Sequence, residues 1–182
     1  VAPNAAHGFV VGATIATGRI TALDTSAAEG APGVVAVVTA ANAGPLKKGN
    51  NNTALLLAGP EVEHYHQAVA LVVADTFEQA RAAAALVKVD YAPAEGAFDL
   101  AKAMDGAVRP EKGDGMGGAA DTAVGDFHGA FAAAPVRLDA TYSTPDQTHA
   151  MMEPYASTAA WDGDRVTVWT SNQMIEWGRS DL

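Results

Sequence analysis

The sequence predicts an α+β fold made of two strand-helix-strand units followed by a smaller β-rich segment, and three observations carry that prediction. The runs Val34-Val35-Ala36-Val37-Val38 and Val69-Ala70-Leu71-Val72-Val73 are short, apolar and unbroken, as strands with both faces covered are. Asp-Thr corners at Asp24 and Asp75 each open an Ala-rich stretch beside such a run. Asp162-Gly163 separates two alternating runs, a strong hairpin signal.

The first unit reads as a strand over Ile20-Thr21-Ala22-Leu23, then a capped helical turn through Asp24 to Glu29. It stops at Gly30 to Gly33, where Pro32 cannot continue a helix, and the strand Val34 to Val38 follows. The second unit begins with the strand Val69 to Val73. Asp75 and Glu78 stand three apart as a capping box, and Phe77, Ala80 and Ala84 recur at helical spacing. That stripe is narrow and small, which suits close packing on a sheet. Leu86 to Tyr91 then alternates with period two, as a strand with one buried face should.

Between the units, Ala43 to Asn52 carries Gly, Pro, Asn and two Lys and reads as an exposed loop. Pro110 to Ala120 has too few apolar side chains to bury and reads as a mobile connection. The expected organisation is therefore a first domain over residues 1–109 with an N-terminal extension, a linker over 110–120, and a β-rich region over 121–182. In the last, Val136 to Tyr142, Tyr155 to Trp161 and Arg165 to Trp169 are strand-like, the latter two joined across Asp162-Gly163-Asp164.

Composition narrows the function. The 182 residues are 49% hydrophobic, enough for one ordinary domain or two small ones. A net charge of −10 repels phosphate backbones, so no nucleic-acid partner is expected. Cysteine is absent, which excludes disulfides, thiolate zinc sites, cysteine nucleophiles and iron–sulfur ligation by this chain. The longest apolar runs, Val69 to Ala74 and Ala82 to Val87, fall far short of the roughly 20 residues of a membrane span. The start Val-Ala-Pro carries neither a basic region nor an apolar leader. Cytoplasmic and periplasmic locations both remain open.

Few residues offer chemistry. Gly113 to Gly118 is no phosphate loop, because no strand precedes it, no capped helix follows and no Gly-Lys-Ser/Thr is present. His64 and His66, with Glu61 and Glu63, suggest a weak metal site, but alternating polar residues more often form the solvent face of a strand, and no metal is assigned. Asp162 and Asp164 are explained by their turn. His149 and Glu153, four apart in an otherwise apolar segment, can pair through a His–carboxylate hydrogen bond and are read as structural support. Gln173 follows a strand end, where a neutral amide can both donate to and accept from a ligand.

Two ordered blocks carry a resemblance. The first contains Thr14-Ile15-Ala16, Gly18-Arg19-Ile20, Pro32-Gly33-Val34 with Ala36-Val37, Val69 to Ala74 with Glu78-Gln79-Ala80, and Val89-Asp90-Tyr91. The second contains Gly125-Asp126, Ala140-Thr141-Tyr142, His149 with Met152-Glu153-Pro154, Trp161-Asp162-Gly163, and Thr170-Ser171-Asn172-Gln173. The chain resembles the molybdenum-binding subunit of the xanthine dehydrogenase and aldehyde oxidase family. Residues near 15 to 95 look like its α/β-hammerhead domain, and the second block looks like the start of its molybdopterin-binding domain. Two departures stand out: His66-Gln67-Ala68-Val69 replaces the family's Gly-Gln-Pro-Val, and Ala150-Met151-Met152-Glu153-Pro154 replaces Asn-Pro-Met-Glu-Pro.

The resemblance implies oxidative hydroxylation of an aldehyde or N-heterocycle by a complete molybdenum-dependent oxidoreductase. It implies molybdopterin in its cytosine dinucleotide form, with the Gln173 amide hydrogen-bonded to an oxygen ligand of molybdenum. It also implies three partners: the remainder of the molybdenum subunit, an iron–sulfur subunit and an FAD subunit. The family's glycine-rich cofactor loop and general-base glutamate have no counterpart in these residues, so no catalytic residue is expected here. The isolated chain is expected to be inactive and to hold no cofactor. The competing reading is a non-catalytic hammerhead module that assembles subunits.

Overall fold

The computed structural model describes residues 3–46, 57, 59–108, 122–147, 150 and 152–182. Two units are distinct: Val1–Gly96 together with Glu153–Leu182, and Ala97–Met152. The first unit opens with β1 (His7–Gly12), β2 (Gly18–Asp24), α1 (Ser26–Glu29), β3 (Val34–Thr39), β4 (Glu61–Val62), β5 (Ala68–Ala74), α2 (Phe77–Ala84) and β6 (Lys88–Pro93).

These strands form two antiparallel three-stranded sheets, ordered β1-β5-β3 and β4-β2-β6. Each strand-helix-strand unit is split between them. The first leaves the second sheet along β2, turns through α1 and enters the first sheet as β3; the second makes the return journey through β5, α2 and β6. The unbroken apolar run of β5 follows from its position, since a central strand beneath a helix has both faces covered.

Two apolar clusters hold this arrangement. Ala28, Val37, Val72, Ala83 and Ala84 form one, joined by Phe9, Val11, Val34 and Val87. Ala13, Val62 and Val69 form the other, joined by Val11, Ile15, Ile20 and Tyr91. Val11 packs against both, so β1, which pattern reading does not find, is the strand that links them. Two of its six residues are glycine, which dilutes the strand signal.

Helix α2 forms where its spacing predicts, with a different cap. Thr76 is the N-cap: its hydroxyl accepts from Gln79 N–H at 3.2 Å, and the Gln79 carboxamide accepts from Thr76 N–H at 3.1 Å. The box is therefore Thr76/Gln79, one residue beyond the expected Asp75/Glu78. The reason is that Asp75 N–H donates to Gly33 O at 2.9 Å, which keeps Asp75 in the strand exit. Gly33 sits at φ +76°, and a side chain there would run into the Gln79 carboxamide, so this turn needs glycine twice over. At the other corner, Ser26 donates to Asp24 from both backbone and hydroxyl, at 3.0 and 2.6 Å. These bonds, the hydroxyl's first, hold the Asp24 carboxyl below its ordinary value.

The unit's C-terminal part is β7 (Ser157–Asp162) paired antiparallel with β8 (Arg165–Thr170), followed by a helix at Ile175–Asp181. Gly163 takes φ +63°, as the first position of a primed hairpin turn requires, and Asp162 faces Arg165 across it. Asp164 lies in the turn, as expected, and Asp162 is the last residue of β7, immediately before it. The other unit holds short exposed helices, α3 (Leu100–Ala103) and α4 (Phe127–Ala133), the latter capped by Asp126. The terminal helix is α5. Val136 to Tyr142 is not the strand its alternation suggests; no partner strand lies beside it among the described residues, and an alternating run alone forms no ladder. The loop expected over 43–52 is exposed at 44–46 and otherwise lies outside the described residues, as does the linker expected over 110–120.

The alanine face of α2 makes one clear prediction. Ala84→Leu adds side chain where Ala84 packs with Val72 and Val37, and should cost about 1–3 kcal/mol through overpacking. A urea melt reads this directly; an unchanged midpoint would mean that α2 rides higher on the sheet than its buried alanines indicate.

Candidate functional site

The histidines flagged by the sequence lie in a turn and not on a strand. His66 takes φ +63°, and its ring lies against Gly12, where a side chain would come within 2.6 Å of it. His66 N–H donates to Ala13 O at 2.9 Å and Ala13 N–H donates to Gln67 O at 2.8 Å, pinning the turn to the end of β1. Gln67 is the turn's centre: its buried carboxamide accepts from Glu63 N–H at 2.8 Å and donates to Glu61 O at 3.1 Å. Glu61 itself pairs with Arg19. No group of three metal-ligating side chains occurs among the described residues. This cluster is a structural clamp.

The candidate site is the exit of β8. Ser157 and Thr170 hydroxyls meet at 2.7 Å across the open end of the hairpin, and Ser171 N–H reaches Ala156 O at 3.5 Å. The chain then bends at Gln173 before α5 begins. Asn172 Oδ1 accepts from Met174 N–H at 2.8 Å, closing an Asx turn around Gln173. Gln173 is exposed, and its carboxamide has no hydrogen-bond partner among the described residues. A groove of about 830 Å³ runs between hairpin and helix, lined by Val166, Trp169, Asn172, Ile175 and Leu182 among others; Gln173 is not part of its wall.

Of the supporting pair, Glu153 is exposed in a bend and His149 lies outside the described residues. Asn172 is the residue that sequence reasoning passed over. Its signal was available: an Asn shortly before a helix, where a side-chain acceptor turns the chain.

Two sheets that exchange strands through crossing helices define an α/β-hammerhead, and a hairpin and helix follow it in the chain. Residues 1–95 match the family model described as aldehyde oxidase and xanthine dehydrogenase, a/b hammerhead domain, and residues 111–182 match that of the molybdopterin cofactor-binding domain. The chain belongs to the aldehyde oxidase and xanthine dehydrogenase family. It is 60% identical over 181 residues to the aldehyde oxidoreductase molybdenum-binding subunit PaoC of Escherichia coli (strain K12), covering 100% of this chain and 24% of that protein. It is 31% identical over 182 residues to the nicotine 6-hydroxylase large subunit of Paenarthrobacter nicotinovorans, covering 92% of this chain and 22% of that one. The crystal structure of quinoline 2-oxidoreductase from Pseudomonas putida 86 superposes with a TM-score of 0.77 at 23% identity, over 95% of this chain and 24% of that chain, which establishes the shared fold. The chain thus spans about a quarter (24%) of the length of PaoC.

The clamp is testable. Gln67→Leu leaves Glu63 N–H and Glu61 O without their partner and should cost about 1–3 kcal/mol, read as a lower urea midpoint. Stability equal to wild type would show that water replaces both bonds freely.

Proposed function

We propose that this chain is part of the large subunit of a molybdenum hydroxylase that converts an aldehyde to the carboxylic acid. The observation that carries the reading is the 60% identity to an aldehyde oxidoreductase subunit, held over 181 residues. Water supplies the added oxygen, and two electrons and two protons are released from the aldehyde and water together. Molybdopterin, in its cytosine dinucleotide form, supplies the redox chemistry when bound. This chain has no Cys, so iron–sulfur ligation falls to another chain or to a segment outside these residues; the reading places the clusters and FAD on partner subunits. The domain boundaries at 109 and 121 belong to the same reading.

Gln173 is the residue of this chain that faces the cofactor. An exposed, neutral carboxamide at a strand exit, without a hydrogen-bond partner among the described residues, suits that role, since it donates and accepts without adding charge. His149 and Glu153 brace the segment before β7. The hairpin and α5 bury none of their residues, and Trp161, Trp169 and Trp177 are exposed. A hairpin this bare draws stability from apolar surface elsewhere, which supports placing it at the edge of a larger cofactor domain completed by the remainder of the molybdenum subunit.

Two experiments test the reading. The purified 182-residue chain should retain no molybdenum by elemental analysis and should not oxidise an aldehyde with an artificial acceptor; stoichiometric metal would contradict the need for a larger domain. In the assembled enzyme, Gln173→Ala should lower turnover or molybdenum content about 10–100-fold, as loss of a metal-orienting hydrogen bond does, with the Tm unchanged. His149→Ala should instead lower the Tm first. Wild-type turnover and metal content in Gln173→Ala would make Gln173 an ordinary loop residue.

A further inference from the structure

We propose that Asn172 is a positioning residue for Gln173, and that Gly178 provides the seat on which it does so; the inference rests on the cofactor-facing reading of Gln173. The bond from Met174 N–H to Asn172 Oδ1, 2.8 Å long, closes a ring whose middle residue is Gln173. Such an Asx turn restrains the backbone torsions of the residue it spans, and with them the direction in which that residue's side chain leaves the chain.

The turn is held from both sides. Upstream, the Ser157–Thr170 hydroxyl contact at 2.7 Å ties the hairpin together up to Thr170. Downstream, Gly178 N–H donates to Met174 O at 2.9 Å, so the helical ladder begins at the residue that also closes the turn. Only Ser171, Asn172 and Gln173 lie between these two anchors. The other end of the Asn172 carboxamide meets Gly178, where a side chain would stand 3.0 Å from Asn172 Nδ2. Glycine weakens a helix interior, yet here it stands one turn into α5 and leaves room for that amide.

A role confined to capping the helix fits this geometry less well. Met174 occupies the N-cap position and offers no side-chain cap, while the acceptor is two residues earlier, where its bond encloses Gln173. None of α5 is buried, so holding its first turn in place does little for the fold as a whole.

The test uses the assembled enzyme, with turnover and molybdenum content by elemental analysis as separate readouts. Asn172→Ala should reduce both about tenfold, toward the level of Gln173→Ala. Asn172→Ser, whose hydroxyl can accept from Met174 N–H, should restore most of the loss. The double variant Asn172→Ala/Gln173→Ala should be no worse than Gln173→Ala, because residues that act through one group are not additive. Gly178→Ala should hold or raise the Tm through better helix propensity while lowering turnover, a pairing that a purely structural role does not produce. It also keeps the proposal open to refutation if Asn172→Ala misfolds. Wild-type behaviour of Asn172→Ala or Gly178→Ala beside an impaired Gln173→Ala would overturn the positioning role alone. Additive losses in the double variant would do the same. A fully active Gln173→Ala would overturn the reading of Gln173, and the positioning role with it.

Discussion

The close seating of α2 on the β1-β5-β3 sheet is the contact on which the hammerhead depends. Ala80, Ala83 and Ala84 turn toward the sheet, and Val72 beneath them is fully enclosed. Small side chains let helix and sheet approach until dispersion contacts are dense, which longer residues at these positions would prevent. Phe77 at the helix start reaches Phe9 on β1, with ring centroids 5.8 Å apart. The helix also governs the chain around it. Its capping residue Gln79 occupies the space over Gly33, and the strand exit before it is fastened to Gly33 O. Sheet, helix and the turn before β3 are therefore one cooperative contact.

The second sheet inherits its order from this one. Strands β2 and β6 pair in the second sheet, α1 and α2 each carry the chain from one sheet to the other, and Val11 touches the apolar clusters of both. The Gln67 clamp serves the same end, holding the approach to β5 against the exit of β1. The histidine beside it shapes the backbone. His66 adopts left-handed geometry to turn the chain, and its ring fills the space that Gly12 leaves.

Much of this frame was legible because burial writes itself into composition. The central strand β5 reads as an unbroken apolar run and α2 as an alanine stripe, because each is covered by the other; β3, equally apolar in sequence and expected to be covered on both faces, is an edge strand that leaves Val35 exposed. What could not be read is pairing. Val136 to Tyr142 alternates well yet has no neighbouring strand among the described residues, and β1 and the two-residue β4 are strands through their neighbours more than through their own residues. The one-residue shift of the α2 cap has the same origin. Asp75 and Thr76 are both competent caps locally, and a backbone bond from a distant turn decides between them.

The candidate site obeys a different logic, and this is why only its existence, and not its geometry, was visible in the sequence. Gln173 could be singled out as a neutral amide after a strand, but nothing in its residue type specifies a direction. That information lies in a short-range hydrogen bond from its neighbour and in the missing side chain of a glycine one helical turn away. Neither belongs to an apolar cluster, so the core neither requires nor protects this geometry. A site held by local bonds at the border of a stable frame can be tuned by single residues without endangering the fold. The same separation explains why the hammerhead is legible in its buried pattern, while the orientation proposed for Gln173 rests on three exposed or half-buried residues that hydropathy does not register.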